Sequence, residues 1–225
     1  MIHAASLLLF ALAQATPAAD ATPTPKPLPA GPVVVLETTM GTIKIGLHKD
    51  KAPITVANFM KYVQARHYDG TIFHRVMPGF MIQGGGLDTK MVEKVGMAPI
   101  RNEARNGLRN TRGSVAMART SDPNSATAQF FISVKDNHSL DFGIQGAGYA
   151  VFGEVLDGMD VVDKLVAVQT PDRGNHQNVP VVPVLIKTAR EAVAAPPGAA
   201  TKPQASGAAA PAPKPRPSAT PTPKP

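Results

Sequence analysis

The chain of 225 residues has no cysteine and no tryptophan, and only three tyrosines and eight phenylalanines. Without cysteine there are no disulfides, no thiolate nucleophile or metal ligand, and no lipid attachment at sulfur. Charged residues are sparse at 17%, and no stretch reaches the roughly 18 consecutive apolar residues that a membrane-spanning helix needs. No stable membrane insertion is therefore expected. His48, His67, His74, His138 and His176 show no short ligand spacing with one another or with acids, so no metal site is read here. No unit of about 20–50 residues recurs, which argues against a repeat architecture.

Proline is abundant and unevenly placed. Of the 23 prolines, six lie within Thr16–Pro32 and ten within Ala192–Pro225, leaving seven for Val33–Glu191. Pro/Ala/Thr-rich flanks of this kind do not bury enough apolar surface to offset the entropy of ordering, so they read as disordered. The first fifteen residues read as an export signal, with an apolar run from Ala4 to Ala13 and a small-x-small site at Ala13-Gln14-Ala15, although the n-region carries His3 and no Lys or Arg. The predicted organisation is a signal peptide at 1–15, a Pro-rich linker at 16–32, a folded domain at 33–191 and a basic Pro/Ala-rich tail at 192–225. The expected location is the periplasm. Lys202, Lys214, Arg216 and Lys224 give the tail +4 of the net +7, so the domain itself keeps too little positive charge to argue for nucleic acid. The tail reads either as a passive solubilising segment or as an electrostatic tether to anionic envelope polymers.

Within the domain, Val33–Thr38 is a β-branched run, and Ile43, Ile45 and Leu47 alternate with Thr42, Lys44 and Gly46, which predicts two strands joined at Met40-Gly41. A helix follows Pro53, with Val56, Phe59, Met60 and Val63 forming one apolar stripe. Short strands are predicted at Thr71–Val76, Phe80–Gln83, Ser114–Ala118, Gln129–Val134, Tyr149–Val155 and Val184–Thr188, with a second helix at Met159–Val166. Pro180 and Pro183 make the approach to the last strand an edge or an irregular segment. Many short strands with two helices indicate a mainly antiparallel β fold, either a sandwich or a closed barrel.

The run from Phe73 to Gly86 sets Arg75, a permanent cation, among Phe73, Val76, Phe80, Met81, Ile82 and several glycines. Burying such a group unpaired is costly, so either it reaches solvent or the surrounding pocket exists to present it. Phe73-His74-Arg75 with Pro78-Gly79-Phe80-Met81-Ile82-Gln83-Gly84-Gly85 resembles the signature of the cyclophilin family of peptidyl-prolyl cis-trans isomerases. Gly113–Thr120, Ser125–Ile132, Leu140 and Tyr149–Gly153 resemble further blocks of the family in its bacterial periplasmic form, and the likeness covers about Val33–Glu191. The resemblance implies a closed eight-stranded antiparallel β-barrel capped by two α-helices, with the active groove on the barrel's outer face. It also implies acceleration of X-Pro isomerisation during folding of exported proteins, on proline-containing unfolded or flexible polypeptides, by a monomer acting without cofactor. The alternative is a non-catalytic proline-peptide-binding chaperone of the cell envelope.

Residue by residue, the resemblance makes Arg75 catalytic and assigns Phe80, Met81, Phe131 and Leu140 to the proline pocket. Gln83 and Gln129 are expected to divide two tasks, one holding Arg75 and one meeting a substrate carbonyl. Ala118 and Arg119 would offer backbone groups to the substrate chain, and Tyr149 would line the groove. Alternation turns Phe130 inward, opposite Phe131, and turns His74 away from the groove as a structural residue. Where many eukaryotic members carry a tryptophan before the pocket leucine, this chain has Ser139, so the cyclic immunosuppressant peptide is expected to bind weakly. Arg101, Arg105, Arg109 and Arg112 read as a solvated basic loop near the groove, since no exposed aromatics interleave for base stacking.

Overall fold

The computed structural model describes residues 31–192. β-branched and alternating residues at the start of the chain form β1 (Val33–Thr38) and β2 (Gly41–Leu47), antiparallel, with Thr38 opposite Gly41. The hairpin loop is thus Thr39-Met40, one residue earlier than the sequence pattern indicated. The Thr38 hydroxyl closes it by accepting the Met40 N–H and donating to the Gly41 carbonyl at 3.0 and 2.7 Å. Leu36, Ile43, Ile45 and Leu47 all project to the same interior and are fully buried.

Six further strands complete a closed barrel: β3 (Thr71–Met77), β4 (Met81–Gly84), β5 (Ser114–Met117), β6 (Phe130–Ser133), β7 (Val151–Asp157) and β8 (Leu185–Glu191), in the order β1-β2-β7-β5-β6-β4-β3-β8. Closure removes the exposed edge that a sandwich would have to protect. The seam between β3 and β8 is short, with two paired rungs, Thr71 with Ile186 and Ile72 with Leu185. Before β8, residues 180–184 are irregular, as Pro180 and Pro183 required.

Two helices pack on this interior. α1 (Pro53–Gln64) begins on Pro53, whose missing N–H costs nothing in a first turn, and contributes Val56, Phe59, Met60 and Val63 to the same core as the barrel strands. Its Phe59 ring sits 5.1, 5.6 and 5.0 Å from those of Tyr68, Phe130 and Phe152, so strands and helix share one aromatic centre. α1 has no side-chain cap of its own and no acid in its first turn. The carboxylate of Glu103, 48 and 49 residues away, accepts the N–H groups of Thr55 and Ile54 at 2.8 and 3.1 Å and the Thr55 hydroxyl at 2.7 Å. α2 (Met159–Val166), which matches its sequence-based bounds, buries Val161, Val162 and Leu165.

β4 starts at Met81, one residue later than the sequence pattern suggested, because Phe80 closes a tight turn with its N–H on the Met77 carbonyl at 3.1 Å. Pro78 followed by Gly79 at φ +67° has the residue types and the sign of φ that a type II turn requires. That turn lifts Phe80 onto the outer face of the barrel, next to Arg75.

Candidate functional site

Arg75 reaches the outer face through an irregularity. Phe73 pairs with Gly84 while Arg75 pairs with Gln83, so β3 advances two residues where β4 advances one, and His74 is the extra residue of a β-bulge. Strict alternation would have put Arg75 on the same side as Phe73, inside the core. The bulge resets the phase: Phe73 and Val76 both point inward, three residues apart, and Arg75 points out. His74 is buried at 6% exposure with Nδ1 lacking a hydrogen-bond partner among the described residues. Burial, and secondarily the nearby His176, holds its pKa down to about 4.

From Arg75 a row of cross-strand neighbours runs along the outer face. Arg75 faces Gln83, Gln83 faces Phe131, Phe131 faces Ala116, and Ala116 faces Val151, crossing β3, β4, β6, β5 and β7. Adjacent strands lie about 4.8 Å apart, so these side chains are in contact range. Met81, Ala116, Phe131 and Val151 form a small apolar cluster separate from the barrel core, all at most 4% exposed, with Met77, Phe80, Leu108, Ala118, Leu140 and Tyr149 packed around it. Above this floor is a cavity of ≈110 Å³ lined by Arg75, Phe80, Met81, Gln83, Ala118, Arg119, Phe131, Leu140 and Tyr149. Phe130, one residue from Phe131, is fully buried in the core, as alternation requires.

Nine of the ten residues assigned from sequence thus surround one cavity. Gln129 stands behind it. Its Oε1 accepts a hydrogen bond from Gln83 Nε2 at 3.0 Å, and its own Nε2 contacts Glu93 Oε1 at 3.4 Å. The expectation that one of the two glutamines holds Arg75 is not met: they hold each other, because Gln129 sits just before β6, on the diagonal from Gln83. Gly86 makes this possible, since a Cβ there would fall 2.4 Å from Gln129 Cγ. Among the described residues the Arg75 guanidinium has no hydrogen-bond or ion-pair partner.

One of the expected backbone groups is already in use. The Ala118 N–H is already committed to the Gln129 carbonyl at 2.9 Å, which leaves its carbonyl for a substrate. The Arg119 side chain is fixed rather than free: its guanidinium donates to the carbonyls of Gly148 and Thr120 and lies 4.4 Å from the centre of the Tyr149 ring. That ring in turn packs edge-on to Phe131 at 5.7 Å. Sequence reasoning missed Ala116 and Val151 on the floor, although each is two residues from an assigned position on its own segment. It also missed Asn137, whose Nδ2 donates to the Phe80 carbonyl at 2.8 Å and fixes the turn. No local pattern marks that residue.

The sequence profile of the family described as cyclophilin type peptidyl-prolyl cis-trans isomerase matches residues 33–191. The chain belongs to this family. It is an isomerase of the cyclophilin type, and high-identity bacterial relatives agree. It is 59% identical over 157 residues to a peptidyl-prolyl cis-trans isomerase of Acinetobacter baylyi, covering 70% of this chain and 84% of that protein. It is 55% identical over 159 residues to peptidyl-prolyl cis-trans isomerase B of Escherichia coli, covering 69% of this chain and 97% of that protein. Among solved structures, a cyclophilin-type isomerase of Cryptosporidium parvum, crystallised in the presence of the dipeptide Ala-Pro, superposes with a TM-score of 0.61 at 26% identity, covering 72% of this chain and 99% of that one. None of the isomerase's helices among the described residues is long and apolar enough to cross a membrane.

Proposed function

We propose that the isomerase seats a substrate proline on the Met81–Phe131 floor and lowers the rotation barrier of the preceding peptide bond with the guanidinium of Arg75. Rotation costs about 18–20 kcal/mol because amide resonance is lost midway, and no bond is broken. The twisted imide has a pyramidal, basic nitrogen, so a donor aimed at that nitrogen binds the transition state better than either ground state. Arg75 suits this task because guanidinium stays charged at any working pH and holds its N–H groups in a fixed plane. The observation that carries the reading is a half-buried arginine, with no partner among the described residues, lining a cavity with an apolar floor.

Magnitudes require more than the arginine. A useful turnover needs on the order of 10⁵-fold acceleration, about 7 kcal/mol. One preorganised donor supplies about 3–4 kcal/mol. The remainder falls to the fit of the ring between Phe80, Met81, Phe131 and Leu140, with Gln83 and the Ala118 carbonyl holding the chain on either side. The substrates we infer are X-Pro segments of exported proteins, met in the periplasm by a monomer.

The test is proline-limited refolding of a model protein. The wild type is expected to accelerate it, at a rate nearly flat from about pH 6 to 8. The invoked donor does not titrate there, and His74, with its pKa at about 4, is already neutral across that window. A tenfold rise with pH across the window, or full acceleration by Arg75→Ala, would overturn the mechanism.

A further inference from the structure

Next to the proline cavity lies a larger one of ≈410 Å³, whose lining includes Arg105, Leu108, Arg109, His138, Phe142 and Ile144. The two share a wall. Leu108 lines the larger cavity while packing on the Met81–Phe131 cluster that floors the smaller, and Leu140 of the smaller directly precedes Asp141 of the larger.

The larger cavity is built, although its walls are surface loops. Asn102 Nδ2 donates to the carbonyls of Ala147 and Gly148 at 3.2 and 3.1 Å, and Asn106 Nδ2 donates to that of Val151 at 2.9 Å. The buried Asn110 donates its N–H and Nδ2 to Asp141 Oδ1 at 2.7 and 2.9 Å. Asn102 and Asn110 thus pin one loop to the other, Asn106 pins the first loop to the start of β7, and Glu103 ties it to α1. The result is a concave surface that is ordered before any ligand arrives.

Its charge has one sign to spare. Among the described residues Asp141 is the one carboxylate in the lining, and it is committed to Asn110 and His138. Burial pushes its pKa up, but those hydrogen bonds outweigh this and hold it below the usual carboxylate range, so it stays an occupied anion. Arg105 and Arg109 are exposed at the rim. The Arg105 guanidinium lies 5.4 Å from the centre of the Phe142 ring, and Phe142 and Ile144 are 46% and 65% exposed. Two cations over an apolar lip recognise a carboxylate carried on a short aliphatic stem.

We propose that this cavity is a specificity subsite for an acidic side chain lying within a few residues of the seated proline. The proposal rests on the isomerase reading of the smaller cavity. An extended chain advances about 3.3 Å per residue, so the residues just beyond the shared leucine wall are the ones that reach Arg105 and Arg109. Neutral substrates remain substrates, and acidic neighbours make them better ones.

The experiment measures kcat/KM by exchange NMR on alanine-based peptides with one proline, carrying Glu, Ala or Lys in turn at each of three positions on either side. At one of these positions Glu is expected to exceed Ala about fivefold at low salt, with Lys below Ala and the gap shrinking as salt rises. In the double variant Arg105→Glu with Arg109→Glu the order is expected to invert toward Lys, an outcome that unfolding does not produce. No preference for Glu at any position, or a preference that survives the charge reversal, would overturn the subsite. Failure of the wild type to isomerise the all-alanine peptide would instead overturn the underlying reading, and the subsite with it.

Discussion

Arg75 combines two properties that conflict in most proteins: it is half-buried, and its guanidinium is uncommitted among the described residues. An arginine that braced the fold would make ion pairs of the kind Arg112 makes with Asp163, or Arg190 with Asp69. Arg75→Ala is therefore expected to lower kcat/KM by about 10²–10³-fold while moving the melting temperature by no more than about 2 °C. Arg75→Lys keeps the charge, loses the fixed plane and should fall between the two. Its neighbour His74 makes the opposite prediction, one of stability rather than rate. With an ordinary value of 6.5 and a folded-state pKa of about 4, the folded protein binds fewer protons than the unfolded chain between these values. Stability is thus full above pH 6.5 and is lost as pH falls toward 4, by about 3 kcal/mol at 1.36 kcal/mol per decade. Denaturant unfolding of wild type and His74→Gln across that range checks it: the variant should lose most of the slope, and parallel curves would show that another group carries it.

Among the elements, two devices position the site and neither is a regular strand or helix. The bulge at His74 turns Arg75 out of the core, and the turn at Pro78-Gly79 brings Phe80 alongside it. A separate device, which braces α1, is remote. Glu103 caps α1 from a loop, replacing the N-terminal acid and side-chain cap that the helix lacks. Glu103→Ala is expected to cost about 1–2 kcal/mol, with Glu103→Gln losing less because one oxygen still accepts. Thermal melts of both variants test the order. Because the same loop carries Arg105 and Arg109, the Glu103→Ala variant should also show a weakened preference for acidic substrates while retaining isomerisation of neutral ones.

Over the whole molecule, the described residues form one closed barrel, while the segment predicted as signal and all but the inner ends of the linker and tail lie outside them. We propose that the chain is exported and trimmed after Ala15. Mass measurement of the protein recovered from a periplasmic extract should give a mature chain starting at Thr16, and an intact Met1 would refute this. If the basic tail tethers the isomerase to anionic envelope polymers, deleting residues 193–225 should reduce co-sedimentation with envelope fragments at low salt and have little effect at high salt. Unchanged association would leave the tail as a solubilising segment.

Much of this architecture is written locally. The strands follow alternation in runs such as Ile43-Ile45-Leu47, both helices follow their apolar stripes, and Phe130 and Phe131 separate by the two-residue period of a strand. Composition bounded the chemistry as well, since a chain without cysteine or tryptophan holds neither thiolate chemistry nor a large indole wall. What the sequence left open depends on register. Whether Arg75 faced core or groove turned on one extra residue in β3, and whether the two glutamines served Arg75 or each other turned on which residues lay diagonally across β4 and β6. The floor residues Ala116 and Val151, the cap from Glu103 and the asparagine pins on the second cavity pair positions 31 to 49 residues apart. Side-chain periodicity is a property of neighbours along the chain, so it specifies each element's faces; pairing across a barrel is a property of its closure, and only the folded structure sets which faces meet.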